Sequence, residues 1–417
     1  MSTGATGFLA RYAALIGRLP GDSALRAAAA AAFRTAGLPG ATQQQRRLEA
    51  WKYTSLRSVA ETEFRSDVAP RHEAETILAG LALLDAPRIV FVDGSLRSDL
   101  SLMPPIGFAR FADQPDFGSL SWPDREPMVA LNTMLAADGA ALHVPSGLDG
   151  GTVQLVSVSA ADADFHPRHS IRLGNGATLT LVEISAGQGR YLLNTVAEIH
   201  LGAGAHLTHI RLQDEAVTAF HVSTTYAAVE AGATYDSFTL NLGARLSRTE
   251  VHATLDGAGA VAHLNAAQIL AGSQHADFTS VVGHTAPGCT SRQTVKNVLA
   301  DRSRGVFQGK IEVARQAQKT DGYQMNQALL LSPYAEVDTK PELEIFADDV
   351  KCSHGATVGE LDAEQLFYLR SRGIPDAEAR SILVRAFLAE ALDLVAEETI
   401  RGRLDMAVQQ WWERLKA

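Results

Sequence analysis

Cys352 and His354 place a thiol and an imidazole two residues apart, in Asp348-Asp349-Val350-Lys351-Cys352-Ser353-His354-Gly355-Ala356-Thr357. The run just before them, Leu343-Glu344-Ile345-Phe346-Ala347, reads as a strand. On a strand, residues i and i+2 share a face, so both side chains can reach one ion. Cysteine and histidine together suit zinc, copper or the iron of an iron–sulfur centre. Such sites usually take four ligands, so a pair is half a site. The missing donors must come from elsewhere in the chain or from a partner. Cys289 is the one other cysteine, which makes a partner the simpler source. The competing reading is structural, a buried thiol beside a hydrogen-bonded histidine.

Other residues with chemical potential read more plainly. His166 and His169 flank Pro167 and read as a solvated loop rather than a metal pair. His200, His206 and His209 fall on predicted strands and read as surface histidines. Cys289, after Pro287-Gly288, reads as a structural turn cysteine. The acidic run Glu342, Glu344, Asp348 and Asp349 reads as a solvated edge. Gln293, Lys296, Asn297, Gln308, Gln318, Asp321, Gln324 and Asn326 give predicted strands an unusual polar density. Stacked amides forming internal ladders are the expected reading, and a polar channel is the sharper alternative. A phosphate-binding loop is absent, since Gly309-Lys310 runs into Ile311. So are Gly-x-Gly-x-x-Gly, His-Glu-x-x-His and Gly-x-Ser-x-Gly.

The elements that must position these residues belong to a long chain. Its 417 residues exceed one ordinary core, so two or three domains are expected. Hydrophobic residues make up 46% and charged residues 20%, the balance of a globular protein. The net charge of -10, from 37 basic against 47 acidic residues, argues against nucleic-acid binding. Two cysteines cannot build a disulfide framework and fit a reducing, cytoplasmic setting. Arg11 and Arg18 interrupt the first apolar stretches, which argues against a signal peptide. No run approaches the ~18 apolar residues of a spanning helix, so no membrane segment is expected.

Four regions are expected: an N-terminal helical domain over 1–87, a connecting segment with short strands over 88–150, a β core over 151–361 and a C-terminal helical domain over 362–417. Asp22 and Ser23 can cap a helix over 24–36 that ends at Gly37 and Pro39. A second short helix is expected over 43–56. Arg88-Ile89-Val90-Phe91-Val92-Asp93-Gly94 reads as a strand and turn. The core carries an internal repeat. Gly176-Ala177, Gly204-Ala205 and Gly232-Ala233 recur every 28 residues, and Gly259-Ala260 follows 27 later. Each opens a predicted strand, and Gly355-Ala356 resembles the same turn. A fixed period with glycine turns and β-branched strands predicts a β-solenoid. One coil cannot bury its own apolar face, and the open edge of a stack must be covered or paired. After Leu361 the period becomes helical. Asp362 with Gln365 suggests a capping box. Ile382, Leu383, Phe387, Leu388 and Leu392 form one expected apolar face, and Ile400, Leu404, Val408, Trp411 and Leu415 another.

The segment from Gly305 to Gly373 resembles the SufB/SufD family of iron–sulfur cluster assembly scaffolds. The resemblance rests on Gly305-Val306-Phe307-Gln308-Gly309-Lys310-Ile311, Gln318-Lys319-Thr320-Asp321-Gly322-Tyr323-Gln324-Met325-Asn326 and Ala335-Glu336-Val337-Asp338-Thr339-Lys340-Pro341-Glu342-Leu343. The Cys352–His354 block and Gln365-Leu366-Phe367-Tyr368-Leu369-Arg370-Ser371-Arg372-Gly373 complete it. Glu49-Ala50-Trp51-Lys52-Tyr53-Thr54 resembles a motif of the SufD branch, and the chain length and two cysteines point away from the SufB-like, cluster-carrying branch.

The resemblance implies a right-handed parallel β-helix between N- and C-terminal helical domains. It implies a scaffold without its own catalysis. Such a scaffold pairs with a SufB-like paralogue through the β-helix edge and binds a SufC-like ATPase through the C-terminal helices. A homodimer is the expected alternative when the chain is alone. It further implies that His354, with Cys352 beside it, holds iron or a nascent iron–sulfur cluster at the SufB interface. ATP-driven dimerisation of SufC would rearrange that interface and expose the pair. A reduced flavin in the assembled complex is also implied, without residues to assign to it. Two rivals stand beside this reading. One is a solenoid enzyme cleaving polysaccharide, which needs paired carboxylates on one face. The other is a purely structural solenoid with no metal role.

Overall fold

The computed structural model describes residues 3–42, 48–65 and 73–416. Two long sheets stack face to face as a β-solenoid. In spatial order the first holds Ser95–Leu96, Arg88–Val92, Asp149–Ser159, Thr178–Gly187, His206–Glu215, Thr234–Asn241, Val261–Leu270, Thr290–Leu299, Asp321–Leu330 and Lys351–Gly359. The second runs from Gly107–Arg110 through Ala140–Val144, Arg168–Leu173, Leu192–Leu201, Phe220–Val229, Leu246–Leu255, His275–His284 and Arg304–Val313 to Glu336–Ile345. From Thr178 onward successive strands alternate between the sheets, so two strands make one coil. All neighbours within this stretch pair in parallel.

The glycine repeat marks the corners. Gly176, Gly204, Gly232 and Gly259 have φ of 66°, 67°, 64° and 71°, a region costly for other residues. The alanine after each is buried beneath the turn. Successive corners also bond to one another, Gly204 N donating to Ala231 O at 2.8 Å and Gly232 N to Ala258 O at 3.0 Å. Gly355 breaks the expected pattern. It lies inside the last strand and not at a corner.

Apolar residues pointing between the sheets form the inner core, including Phe91, Leu142, Leu155, Ile199, Leu207, Tyr235, Phe278 and Phe307. The solenoid interior also carries the expected amide ladder. Gln268 Nε2 donates to Asn297 at 2.7 Å, Asn297 Nδ2 to Asn326 at 2.8 Å, and Asn326 Nδ2 to Thr339 at 2.7 Å. Lys296 and Asp321 stand apart from it. Lys296 turns outward to Glu390 under the Phe387 ring, and Asp321 pairs with Arg292.

Helices cover both outer faces. The second sheet is covered by α1 (Thr3–Leu15), α2 (Ser23–Ala36), a short α3 (Arg57–Ala60) and, from the middle of the chain, α5 (Pro127–Leu135). Phe8, Phe33, Trp51 and Leu131 pack there on Leu192, Phe220 and Leu246. Asp22 caps α2 by accepting from Ala24 N and Leu25 N, and Gly37 ends it at φ 66°. Of the helix expected over 43–56, residues 43–47 lie outside the described residues, and a single 3-10 turn, Glu49–Trp51, follows. The first sheet is covered by α4 (Glu73–Ala79) and by the C-terminal helices α7 (Asp376–Leu392) and α8 (Glu398–Lys416), while α6 (Ala363–Ser371) packs against α7. Asp362 caps α6. The buried face of α7 is Ala379, Val384, Leu388, Ala391 and Leu392, so the expected face is rotated and Ile382 is exposed. No described helix is long and apolar enough to cross a membrane.

The histidines expected at the surface divide. His166 and His169 are buried, His166 bonded to Asp164 at 2.8 Å and His169 Nδ1 accepting from Ala140 N at 3.0 Å. Pro167 suggested a loop, but it only links Asp164–Phe165 to Arg168–Leu173, both of them paired strands. His209 is also interior, against the Tyr235 hydroxyl at 3.0 Å. Burial lowers the pKa of all three. His200 is partly buried, and His206 sits half-exposed beside Asp236.

Candidate functional site

Cys352 and His354 lie on Lys351–Gly359, the last strand of the first sheet. The pairing puts Cys352 beside Gly322 and His354 beside Gln324. Alternation then directs both side chains to one face. Cys352 is half-buried against Ile311, Val313, Ala317, Leu343 and Val350, the apolar end of the inner stack. His354 is exposed, because no coil follows to cover it. In register beneath it lie Gln324 and then Gln293, both fully buried. Neither amide atom of Gln324 has a hydrogen-bond partner. The buried column thus ends in an unpaired amide with a histidine above it.

Burial pushes the Cys352 thiol up; the Gly322 amide opposes this and the Asp321 carboxylate adds to it. A thiol held protonated is a poor nucleophile, but a metal ion displaces its proton on binding. Among the described residues Cys352 and His354 belong to no cluster of three or more metal-binding side chains. Cys289 is buried at a corner, its thiol donating to Gly257 O at 3.3 Å, which fits the structural reading.

The backbone around the pair is equally incomplete. Lys351 N donates inward to Thr320 O at 2.8 Å. Alternation along a parallel strand turns the amides of residues 352, 354, 356 and 358 to the open side. The second sheet ends beside it at Glu336–Ile345, which carries Glu336, Asp338, Lys340, Glu342, Glu344 and Pro341. Charges and proline protect an edge from pairing. The strand Lys351–Gly359 carries one such charge, Lys351.

The motif Glu49-Ala50-Trp51-Lys52-Tyr53-Thr54 fastens the N-terminal segment to the second sheet. The Trp51 ring lies 4.1 Å from the fully buried Arg248 guanidinium. Thr54 bonds to Asp277 and His275, Ala50 O accepts from Gln308, and Glu49 meets Lys340 on the edge strand at 2.8 Å. Nearby lies a group that sequence reasoning missed. Glu126, Glu250 and His252 bring their ligand atoms within 4.8 Å of one another. The alternation Glu250-Val251-His252 on a predicted strand was the available signal; nothing in the sequence placed Glu126 beside it.

A model of the SufBD core domain of SUF-system iron–sulfur cluster assembly matches residues 156–387. That span holds the repeated coils, the open edge and the Cys352–His354 pair. The chain belongs to the SufBD family. It is 33% identical over 371 residues to the iron–sulfur cluster assembly protein SufD of Escherichia coli, covering 86% of this chain and 87% of that one. A SufBD family protein of Synechocystis is 37% identical over 292 residues, covering 67% of this chain and 64% of its own length. The chloroplastic protein ABCI7 of Arabidopsis thaliana is 32% identical over 301 residues, covering 69% and 62%. Family membership gives the chain a role in iron–sulfur cluster assembly.

Proposed function

We propose that this SufBD family chain is a non-catalytic scaffold subunit that pairs with a SufB-like paralogue through its last coil and binds a SufC-like ATPase through its C-terminal helices. The observation that carries the reading is the unfinished end of the solenoid. There the outward amides of Lys351–Gly359 and the half-ligand pair Cys352 and His354 lie at the open edge, with the unpaired Gln324 amide buried one strand beneath. An added strand would satisfy the amides by edge pairing. Thiolate or other donors from that neighbour would complete a four-ligand site.

In this reading iron, or the growing cluster, is the cargo. His354 holds it by an imidazole nitrogen, and Cys352 contributes a thiolate once the metal has displaced the thiol proton. The half-buried position of Cys352 limits access until the interface moves. The ATPase reading is supported by α6, which has no buried residue and exposes Phe367 and Tyr368, with Ile382 of α7 beside them. ATP-driven closure of two bound ATPase subunits would pull on these helices and so on the edge they flank. The reduced flavin is assigned no residues.

Anaerobic co-expression with SufB-like and SufC-like proteins of the same genome, followed by light scattering, tests the reading. The expected assembly has one copy of this chain, one SufB-like copy and two ATPase copies. His354→Ala should leave that assembly intact and lower cluster yield. A chain that stays a monomer or homodimer beside both proteins refutes the pairing. Unchanged cluster yield in the intact His354→Ala complex refutes the metal role and leaves the structural scaffold.

A further inference from the structure

A second set of metal-binding side chains sits on the outer face of the second sheet. Glu126 stands at the N-cap of α5, where its side chain makes no capping bond to the helix. Glu250 and His252 alternate on Leu246–Leu255 and face the same side. All three line a cleft of about 750 Å³, whose walls include Trp122, Lys310 and Lys340. Glu250 is held from behind. Arg248 Nε and Nη2 donate to its Oε2 at 3.1 and 2.9 Å, which leaves Oε1 to meet His252 Nε2 at 2.9 Å. Arg248 is in turn fixed by Asp277 and the Trp51 ring. One Glu250 oxygen therefore serves the fold and the other serves the cleft.

The independent observation is Tyr226. Its ring stacks on His252 at 4.8 Å and 14° between planes. The residue is 5% exposed, its hydroxyl has no hydrogen-bond partner, and it lines the same cleft. Buried hydroxyls are almost always bonded, so an orphan among ligand-type side chains marks a place built to meet another group.

We propose that Glu126, Glu250 and His252 bind a divalent first-row cation, with the Tyr226 hydroxyl hydrogen-bonding to a further ligand of that ion. Two carboxylate oxygens and one imidazole suit iron(II), manganese(II) or zinc(II) and disfavour copper(I), which prefers sulfur. Three protein ligands leave positions open to the cleft. On binding, the ion replaces the proton shared between His252 and Glu250, and that proton leaves to solvent. Arg248 remains on Glu250 Oε2, so its buried charge stays paired. This site does not depend on the reading of Cys352 and His354.

Cobalt(II) is the probe, titrated anaerobically into the full-length chain. Oxygen and nitrogen ligands give weak visible d–d bands, whereas a thiolate ligand adds an intense near-ultraviolet charge-transfer band. The expected result is one equivalent bound with d–d bands, retained in the Cys352→Ser, His354→Ala double variant and free of the thiolate band there. Glu126→Gln, which removes no capping bond, should weaken binding at least ~10-fold, with a smaller loss and a band shift for Tyr226→Phe. Cobalt binding that disappears in the double variant overturns the proposal, as does a Glu126→Gln chain that binds as tightly as the parent. Thermal melts of each variant keep a folding defect distinct from ligand loss.

Discussion

The two ends of the solenoid are finished differently. At the first end, Arg88–Val92 is capped by the antiparallel strand Ser95–Leu96, and Ala140–Val144 by the antiparallel Gly107–Arg110. Four of the five residues of Arg88–Val92 are buried, so that strand is core. At the far end, Lys351–Gly359 has no buried residue, and Glu336–Ile345 beside it is likewise unburied. Reversing chain direction uses up edge hydrogen bonds within the fold; a parallel strand left last keeps them on offer. The open end thus keeps its edge hydrogen bonds on offer, which is what the proposed pairing with another chain would use.

Breaking the open end should have the largest effect, and on assembly rather than on folding. Ala356→Pro removes an outward-facing amide from the free edge. The expected outcome is loss of the SufB-like partner in co-purification, at least ~100-fold in affinity, with little change in the melting temperature of the chain alone. Survival of the complex would show that the edge is not the pairing surface.

Breaking the closed end should do the reverse. Phe91→Ala empties a fully buried core position and should cost about 3–5 kcal/mol in denaturant unfolding. Val358→Ala, at an exposed site on the far strand, should stay within about 0.5 kcal/mol. Equal costs at the two positions would contradict the contrast between the ends.

Acidification acts on the body between the ends. Burial lowers the His284 imidazole from 6.5 to about 4. Between those values the unfolded chain binds more protons than the folded one, so stability falls as pH drops through that window. Denaturant midpoints at pH 7 and pH 5 should differ, and His284→Gln should reduce the difference. An unchanged difference would place the acid sensitivity elsewhere, for example at His166 and His169.

The smallest effect belongs to Gln324. Gln324→Leu replaces an orphaned buried amide with an apolar side chain of similar size. It should leave the isolated chain as stable or stabilise it by up to about 1 kcal/mol. Destabilisation of the isolated chain would mean that the amide is already satisfied within the fold.

The solenoid was legible because its period is fixed by chemistry that a sequence displays. Gly176, Gly204, Gly232 and Gly259 must take positive φ, and the alanines after them must fit under the turn. Gly355 carries the same dipeptide without the role, since a strand also tolerates Gly-Ala. Cys352 and His354 were legible as a pair because strand alternation acts over two residues. Their place on an open end was not, because that depends on which coil comes last. The buried histidines were misread for the same reason. A local window around Pro167 does not reveal that strands on either side pair with distant coils. Glu126 reaches Glu250 and His252 only through the packing of α5 on the second sheet, across more than a hundred residues of chain.

Hydrogen exchange read by mass spectrometry, on the chain alone and in complex with a SufB-like partner, tests the central claim most directly. The account predicts strong new protection over Lys351–Gly359 and none over Arg88–Val92. Unchanged exchange over Lys351–Gly359 in a complex that has formed would contradict it.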